Sequence, residues 1–161
     1  MWLRFCRRRR AAEGYTLAAW GAMPAIVQAV ELWRVASGEN LFIDAPMLRY
    51  NALWNVYGRR PFDGALARCA DAPSRRTWRQ ADEATYMPLL AARYHDGLAQ
   101  WVSRQIRRAH PQLAWTDCLW DDPAIEATPP DGLPTAWLFD GLGQVAMRSG
   151  WTRRSDTFAM V

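Results

Sequence analysis

Three stretches carry aromatic and apolar residues at helical spacing, and they restrict what this chain can fold into more than any other feature. Leu17, Trp20, Met23, Val27, Val30 and Trp33 mark one stripe within 16–36. Met47, Tyr50, Trp54 and Tyr57 mark a second within 46–57, and Met87, Leu90, Tyr94, Leu98, Trp101 and Ile106 a third within 82–109. Repeats of three and four residues place such side chains on one face of a helix. The positions flanking the first stripe are also mostly apolar, so that helix is expected to be buried on more than one side. The third is the most clearly two-faced, with Arg93, Asp96, Arg104, Arg107 and Arg108 on its wet side. Half of the 161 residues are hydrophobic and ten are Trp, enough to build a sizeable core and to exclude an intrinsically disordered chain.

Punctuation divides the chain. Pro24 kinks the first helix or starts its regular part, and Ser37-Gly38 stops it. Pro46 suits the first turn of the second helix, and Gly58 ends it. A long loop is expected over 59–79, where Pro61, Asp63-Gly64 and Asp71-Ala72-Pro73 are turn signals. Pro111 stops the third helix. Asp121, Asp122, Pro123, Pro129, Pro130 and Pro134 then mark a helix-free connection. Beyond it, Gln144 to Arg148 reads as a strand and 157–161 as its partner, with the turn at 152–156. The expected organisation is a basic tail (1–12), a helical portion (13–118), a proline-rich connection (119–136) and the start of a sheet (137–161). The fold class is mainly α.

All 20 strongly basic residues are Arg, and Arg7 to Arg10 supply much of the net charge of +4. That run reads as a solvated tail. A nucleic-acid or membrane-surface role is not favoured, because the apolar helices are not patterned for it. No apolar run is long enough for a transmembrane helix, and no small-residue cleavage site follows the apolar stretch 18–30. Cys6, Cys69 and Cys118 are widely spaced, and with only His95 and His110 beside them no metal or redox motif forms. No cofactor is implied, and both histidines read as surface residues.

The order of elements, together with particular residues, resembles the heparinase II/III-like polysaccharide lyases. The stretches are Glu13-Gly14-Tyr15 leading into Trp20-Gly21; Leu32-Trp33-Arg34 with 37–42; 46–57; Asp63-Gly64 followed by Asp71; and 143–151 followed by Thr157-Phe158. The resemblance covers nearly everything from Glu13 onward. It implies a portion of an (α/α) toroid followed by the first strands of an antiparallel β-sandwich, as an internal piece of such an enzyme. It also implies β-elimination on an acidic, uronate-containing polysaccharide such as alginate or a glycosaminoglycan, in a periplasmic or secreted setting. A base takes the proton α to the uronate carboxylate, and an acid protonates the departing glycosidic oxygen.

In the family a Tyr on the cleft-facing helix suits both jobs when a neighbouring positive group lowers its pKa. The position four after the Glu is Leu17 here, and Tyr15, two residues earlier, is the catalytic candidate. Two residues on a helix are about 200° apart. The chain is therefore expected not to complete the reaction by itself. The alternative is a non-catalytic remnant or an acidic-carbohydrate-binding helical module. Candidate substrate contacts are Arg34 and Arg49, whose guanidinium groups pair bidentately with carboxylate or sulfate, and Trp20 and Trp54, whose rings stack on sugars. Arg59, Arg60 and Trp101 are weaker candidates of the same kinds.

Overall fold

The computed structural model describes residues 22–67, 77–78, 82–110, 115–140 and 142–161. Tyr15, Leu17, Trp20, the Arg7–Arg10 run, Cys6, Cys69, the Asp71-Ala72-Pro73 turn and Pro111 lie outside them.

The described chain is mainly helical with one small sheet. Helix α1 (Met23–Ser37) has Pro24 in its first turn and ends at Gly38, whose φ of 77° lets its N–H reach the Arg34 carbonyl at 3.0 Å. The second expected helix forms as two pieces, α2 (Pro46–Arg49) and α3 (Asn51–Tyr57), broken at Tyr50. A 3₁₀ turn (Asp82–Thr85) leads into α4 (Met87–Tyr94) and α5 (Gly97–Ala109). A helix not expected from the sequence, α6 (Trp115–Trp120), follows.

The third expected helix is thus two helices. His95 adopts the left-handed conformation (φ 48°, ψ 45°) and caps α4, while Asp96 turns extended and caps α5. The Asp96 carboxylate accepts from the N–H groups of Leu98 (2.8 Å) and Ala99 (3.2 Å), the bonding that makes Asp a preferred N-cap. Gly97 permits the corner to pack. A Cβ there would lie 2.7 Å from the Glu126 carbonyl oxygen and closer still to the Thr128 hydroxyl. Thr128 donates its N–H to the Gly97 carbonyl at 2.9 Å, so the proline-rich connection is stitched to the start of α5. That connection contains a 3₁₀ turn (Pro130–Gly132).

The sheet is a three-stranded antiparallel meander in the order β1-β2-β3: β1 (Ala136–Phe139), β2 (Gln144–Arg148) and β3 (Phe158–Met160). β2 and β3 are the expected pair, and β1 is an addition. Phe139 faces Gln144 across the first turn, and Arg148 faces Phe158 across the longer one.

Helices and sheet share one core. Met23, Val27, Leu48, Trp54, Tyr57, Tyr86, Leu89, Leu90 and Val102 belong to it together with Phe139 and Ala146 of the sheet. Burial of these side chains, at roughly 1.5–3 kcal/mol each, is the main stabilising term. One expectation fails at α1. Leu32, Trp33 and Val35 are 70%, 50% and 69% exposed, so the helix is covered on one side among the described residues. That side holds Met23, Val27, Val30 and Glu31.

Candidate functional site

The helices and the sheet meet along a seam where aromatic rings, Arg148 and side-chain hydrogen bonds come together. Tyr57, at the end of α3, stands at its centre. Its ring packs edge-on against Trp151 (4.9 Å between centroids) and Phe139 (5.9 Å), with Trp137 at 6.0 Å. Its hydroxyl donates to the Pro134 carbonyl at 2.6 Å. The Trp54 indole N–H donates to the Gln144 side-chain oxygen at 3.1 Å. From the sheet side, the Arg148 guanidinium donates to the carbonyls of Val56 (3.4 Å) and Arg59 (3.0 Å) while lying 4.0 Å over the Trp151 ring.

Next to the seam lies a buried polar network. Arg59 is 3% exposed and Glu83 4%. Arg59 takes the Asn55 side-chain oxygen at 2.9 Å, the Gly64 carbonyl at 2.9 Å and Glu83 at 3.4 Å. Asn55 donates to the same Glu83 oxygen at 2.7 Å. The Trp78 ring covers the Arg59 guanidinium at 3.7 Å. Burial pushes the Arg59 pKa down, and the charge of Glu83 opposes it. A buried charge held this completely is an anchor for the 59–66 loop, not a free hand for a ligand.

The loop itself is closed by the Arg59–Leu66 bridge. Asp63 and Gly64 form the turn expected of them. Asp63 accepts the Ala65 N–H at 3.0 Å, and Gly64 has φ 66° with Trp78 where a Cβ would sit. Asp63 also takes Arg60 bidentately, at 3.1 and 2.5 Å. Between them Phe62 stands 49% exposed, with the Arg60 guanidinium 5.0 Å from its ring centroid. Arg154, from the turn between β2 and β3, donates through Nε (3.1 Å) and Nη2 (2.8 Å) to the Phe62 carbonyl. Arg153 beside it is exposed.

The residues singled out in the sequence take different places. Trp54 is 2% exposed and belongs to the core, which leaves no ring face for a sugar. Arg34 grips Glu31 with two hydrogen bonds (3.0 and 2.9 Å). Arg93 of α4 grips the same carboxylate with two more (2.9 and 2.5 Å). Arg34 therefore serves a clamp between α1 and α4. Arg49 is exposed at the end of α2. Trp101 packs edge-on against Trp78 at 5.9 Å. Arg34 and Trp54 are thus engaged with separate neighbours, Glu31 and Gln144. His95, His110 and Cys118 are exposed. Tyr15 and Trp20 lie outside the described residues.

Proton transfer finds little support among the described tyrosines. Three of the four described tyrosines, Tyr57, Tyr86 and Tyr94, spend their hydroxyls on Pro134, Asn51 and Phe42, while Tyr50 is 53% exposed. Burial pushes the pKa of Tyr57 and of Tyr94 up, against the weaker opposite pull of Arg148 and Arg49 respectively. A tyrosine base needs the reverse. Among the described residues no group of three or more His, Cys, Asp or Glu is placed to hold a metal ion, and no helix is long and apolar enough to cross a membrane.

Sequence reasoning missed Phe62, Arg148, Arg153 and Arg154. Their only local signal is Arg153-Arg154 following Trp151, and the partner loop is about 90 positions earlier. No family model, no curated protein and no solved structure matches this chain.

Proposed function

We propose that the chain is a portion of a heparinase II/III-like polysaccharide lyase, with the closing helices of its toroid and the opening strands of its sandwich. Its ligand class is an acidic, uronate-containing polysaccharide. The observation that carries the reading is the succession of helices, proline-rich connection and antiparallel strands, joined through one core. Apolar surface left open on α1 (Leu32, Val35) and on the sheet (Leu138, 59% exposed; Met147, 44%) fits elements that ordinarily pack on further helices and a second sheet. In this reading the chain alone binds acidic sugar but does not cleave it.

The test is incubation of the protein with alginate and glycosaminoglycans, following both binding and the ultraviolet absorbance of an unsaturated uronate product. Binding without product is the expected outcome. Sequencing the flanks of the reading frame adds the second arm, with further toroid helices upstream and sandwich strands downstream expected. Failure to bind any uronate polymer, with no such segments in any flanking frame, sinks the proposal.

A second reading, a carbohydrate-binding remnant, is favoured by the engaged tyrosine hydroxyls above. Repeating the product assay on a chain extended by any flanking segments found separates the two, because a remnant gains no lyase activity when they are restored.

A further inference from the structure

We infer that Phe62, Arg60, Arg153 and Arg154 form a docking platform for the acidic sugar units of a polysaccharide. The inference rests on the acidic-polysaccharide reading above and assigns it a place, on the outer lip of the helix–sheet seam.

Three observations converge. The first is the exposure of Phe62. A single half-exposed ring is ordinary on a protein surface; what sets Phe62 apart is that its backbone is held from both sides. Arg154 chelates the Phe62 carbonyl from the sheet turn. The loop beneath is locked by Arg59 on the Gly64 carbonyl and by Asp63 on Arg60. A ring presented without freedom to collapse loses little entropy when a ligand lands on it.

The second is charge. The 59–66 loop and the turn between β2 and β3 carry Arg59, Arg60, Arg153 and Arg154 against Asp63 and Asp156, and Glu83 of the 3₁₀ turn faces the buried Arg59. Asp156 spends one oxygen on the Arg153 N–H (3.0 Å), and its other oxygen takes the Ser149 hydroxyl at 3.4 Å. Asp63 spends both oxygens on Arg60. The carboxylates thus shape the loops: Arg59 is buried with Glu83 and Arg60 is paired with Asp63, so the outward positive charge is that of the exposed Arg153 and Arg154. Guanidinium groups present paired N–H donors that match carboxylate and sulfate oxygens.

The third is the pairing of chemistries. A sugar ring offers an apolar C–H face and, in a uronate or sulfated unit, an anionic edge. Phe62 meets the first, and the guanidinium groups around it meet the second. A plain anion needs no ring, and a neutral sugar needs no arginine.

The experiment titrates the purified full chain, by calorimetry, with defined oligouronates and with sulfated glycosaminoglycan oligomers. A carboxyl-reduced uncharged oligomer and a single-stranded oligonucleotide of equal charge are the controls. Saturable binding of the acidic oligomers is expected, with at least a tenfold loss in Phe62→Ala and in Arg153→Ala/Arg154→Ala, and no binding of the uncharged oligomer. Thermal melts of both variants verify that they fold. An Arg60→Gln variant, which leaves both Phe62 and Arg154 in place, is expected to weaken binding less.

Two results overturn the platform alone: folded variants that bind acidic oligomers as well as wild type, or an oligonucleotide that binds as tightly as they do. If wild type binds no acidic oligomer, the platform falls together with the binding arm of the functional reading, whereas loss-free variants overturn the platform alone, so the two failures are distinguishable.

Discussion

Replacing Glu31 by Gln tests how α1 is fixed to the rest of the molecule. The Glu31 side chain is 7% exposed and lies between the Arg34 and Arg93 guanidinium groups. Burial alone pushes its pKa up. The hydrogen bonds from Arg34 and Arg93, and then their charges, outweigh burial and hold it at about 2, against the ordinary 4.5. Each unit is worth 1.36 kcal/mol, so the clamp contributes about 3 kcal/mol at neutral pH. The two arginines are about 30% exposed, and solvent screening lowers that to about 2 kcal/mol.

The sign follows from the direction of the shift. A carboxylate depressed in the folded state stabilises it above pH 4.5 and loses that contribution as the pH falls through about 2. Glu31→Gln is therefore expected to destabilise the protein by about 2 kcal/mol at pH 7. Urea unfolding of wild type and variant between pH 7 and pH 2 reads both quantities. The gap between the two curves should stay constant down to about pH 5 and then close. A gap that is absent at pH 7, or that persists unchanged to pH 2, refutes the clamp.

Other perturbations probe the corner and the buried network. Gly97→Ala drives a methyl into the Glu126 carbonyl and Thr128, and a loss of about 1–3 kcal/mol in chemical denaturation is expected. His95→Gly relieves a left-handed residue at the end of α4 and should gain about 0.5–1 kcal/mol, read as a rise in melting temperature. Glu83→Ala leaves Arg59 buried with its carboxylate partner gone. A cost of about 3–5 kcal/mol is expected, with faster hydrogen exchange over 59–66.

Much of the helical framework was legible because burial and periodicity coincide there. Val27 and Val30, Trp54 and Tyr57, and Met87 and Leu90 are stripe residues and core residues alike. The break at His95 was hidden because the apolar stripe runs through it from Tyr94 to Leu98. Only the Asp96 cap and Gly97 betray it, and both also occur inside helices. Strand β1 was hidden for another reason. Ala136-Trp137-Leu138-Phe139 is a four-residue apolar run with no period of its own, and its pairing with β2 decides its state. For the candidate site, sequence spacing reveals the Glu31–Arg34 pair but not Arg93, which lies 62 residues away. Trp54 illustrates the converse, a ring named for stacking that is buried in the core and whose indole N–H is taken by Gln144, 90 positions later. Arg34 and Trp54 look like binding residues in isolation because a sequence names donors and rings without showing what already occupies them.

The hydrogen bonds across the seam also order events during synthesis. Trp54, Val56 and Tyr57 close onto residues 77 to 92 positions further along the chain. A ribosome adding about 5–20 residues per second needs on the order of 5–20 s to deliver those partners. Throughout that interval the flank of α3 that later meets the sheet is bare apolar surface on a nascent chain. That exposure ends only once residues 134–148 have emerged, and until then a holding chaperone would find its binding surface in Trp54 and Tyr57.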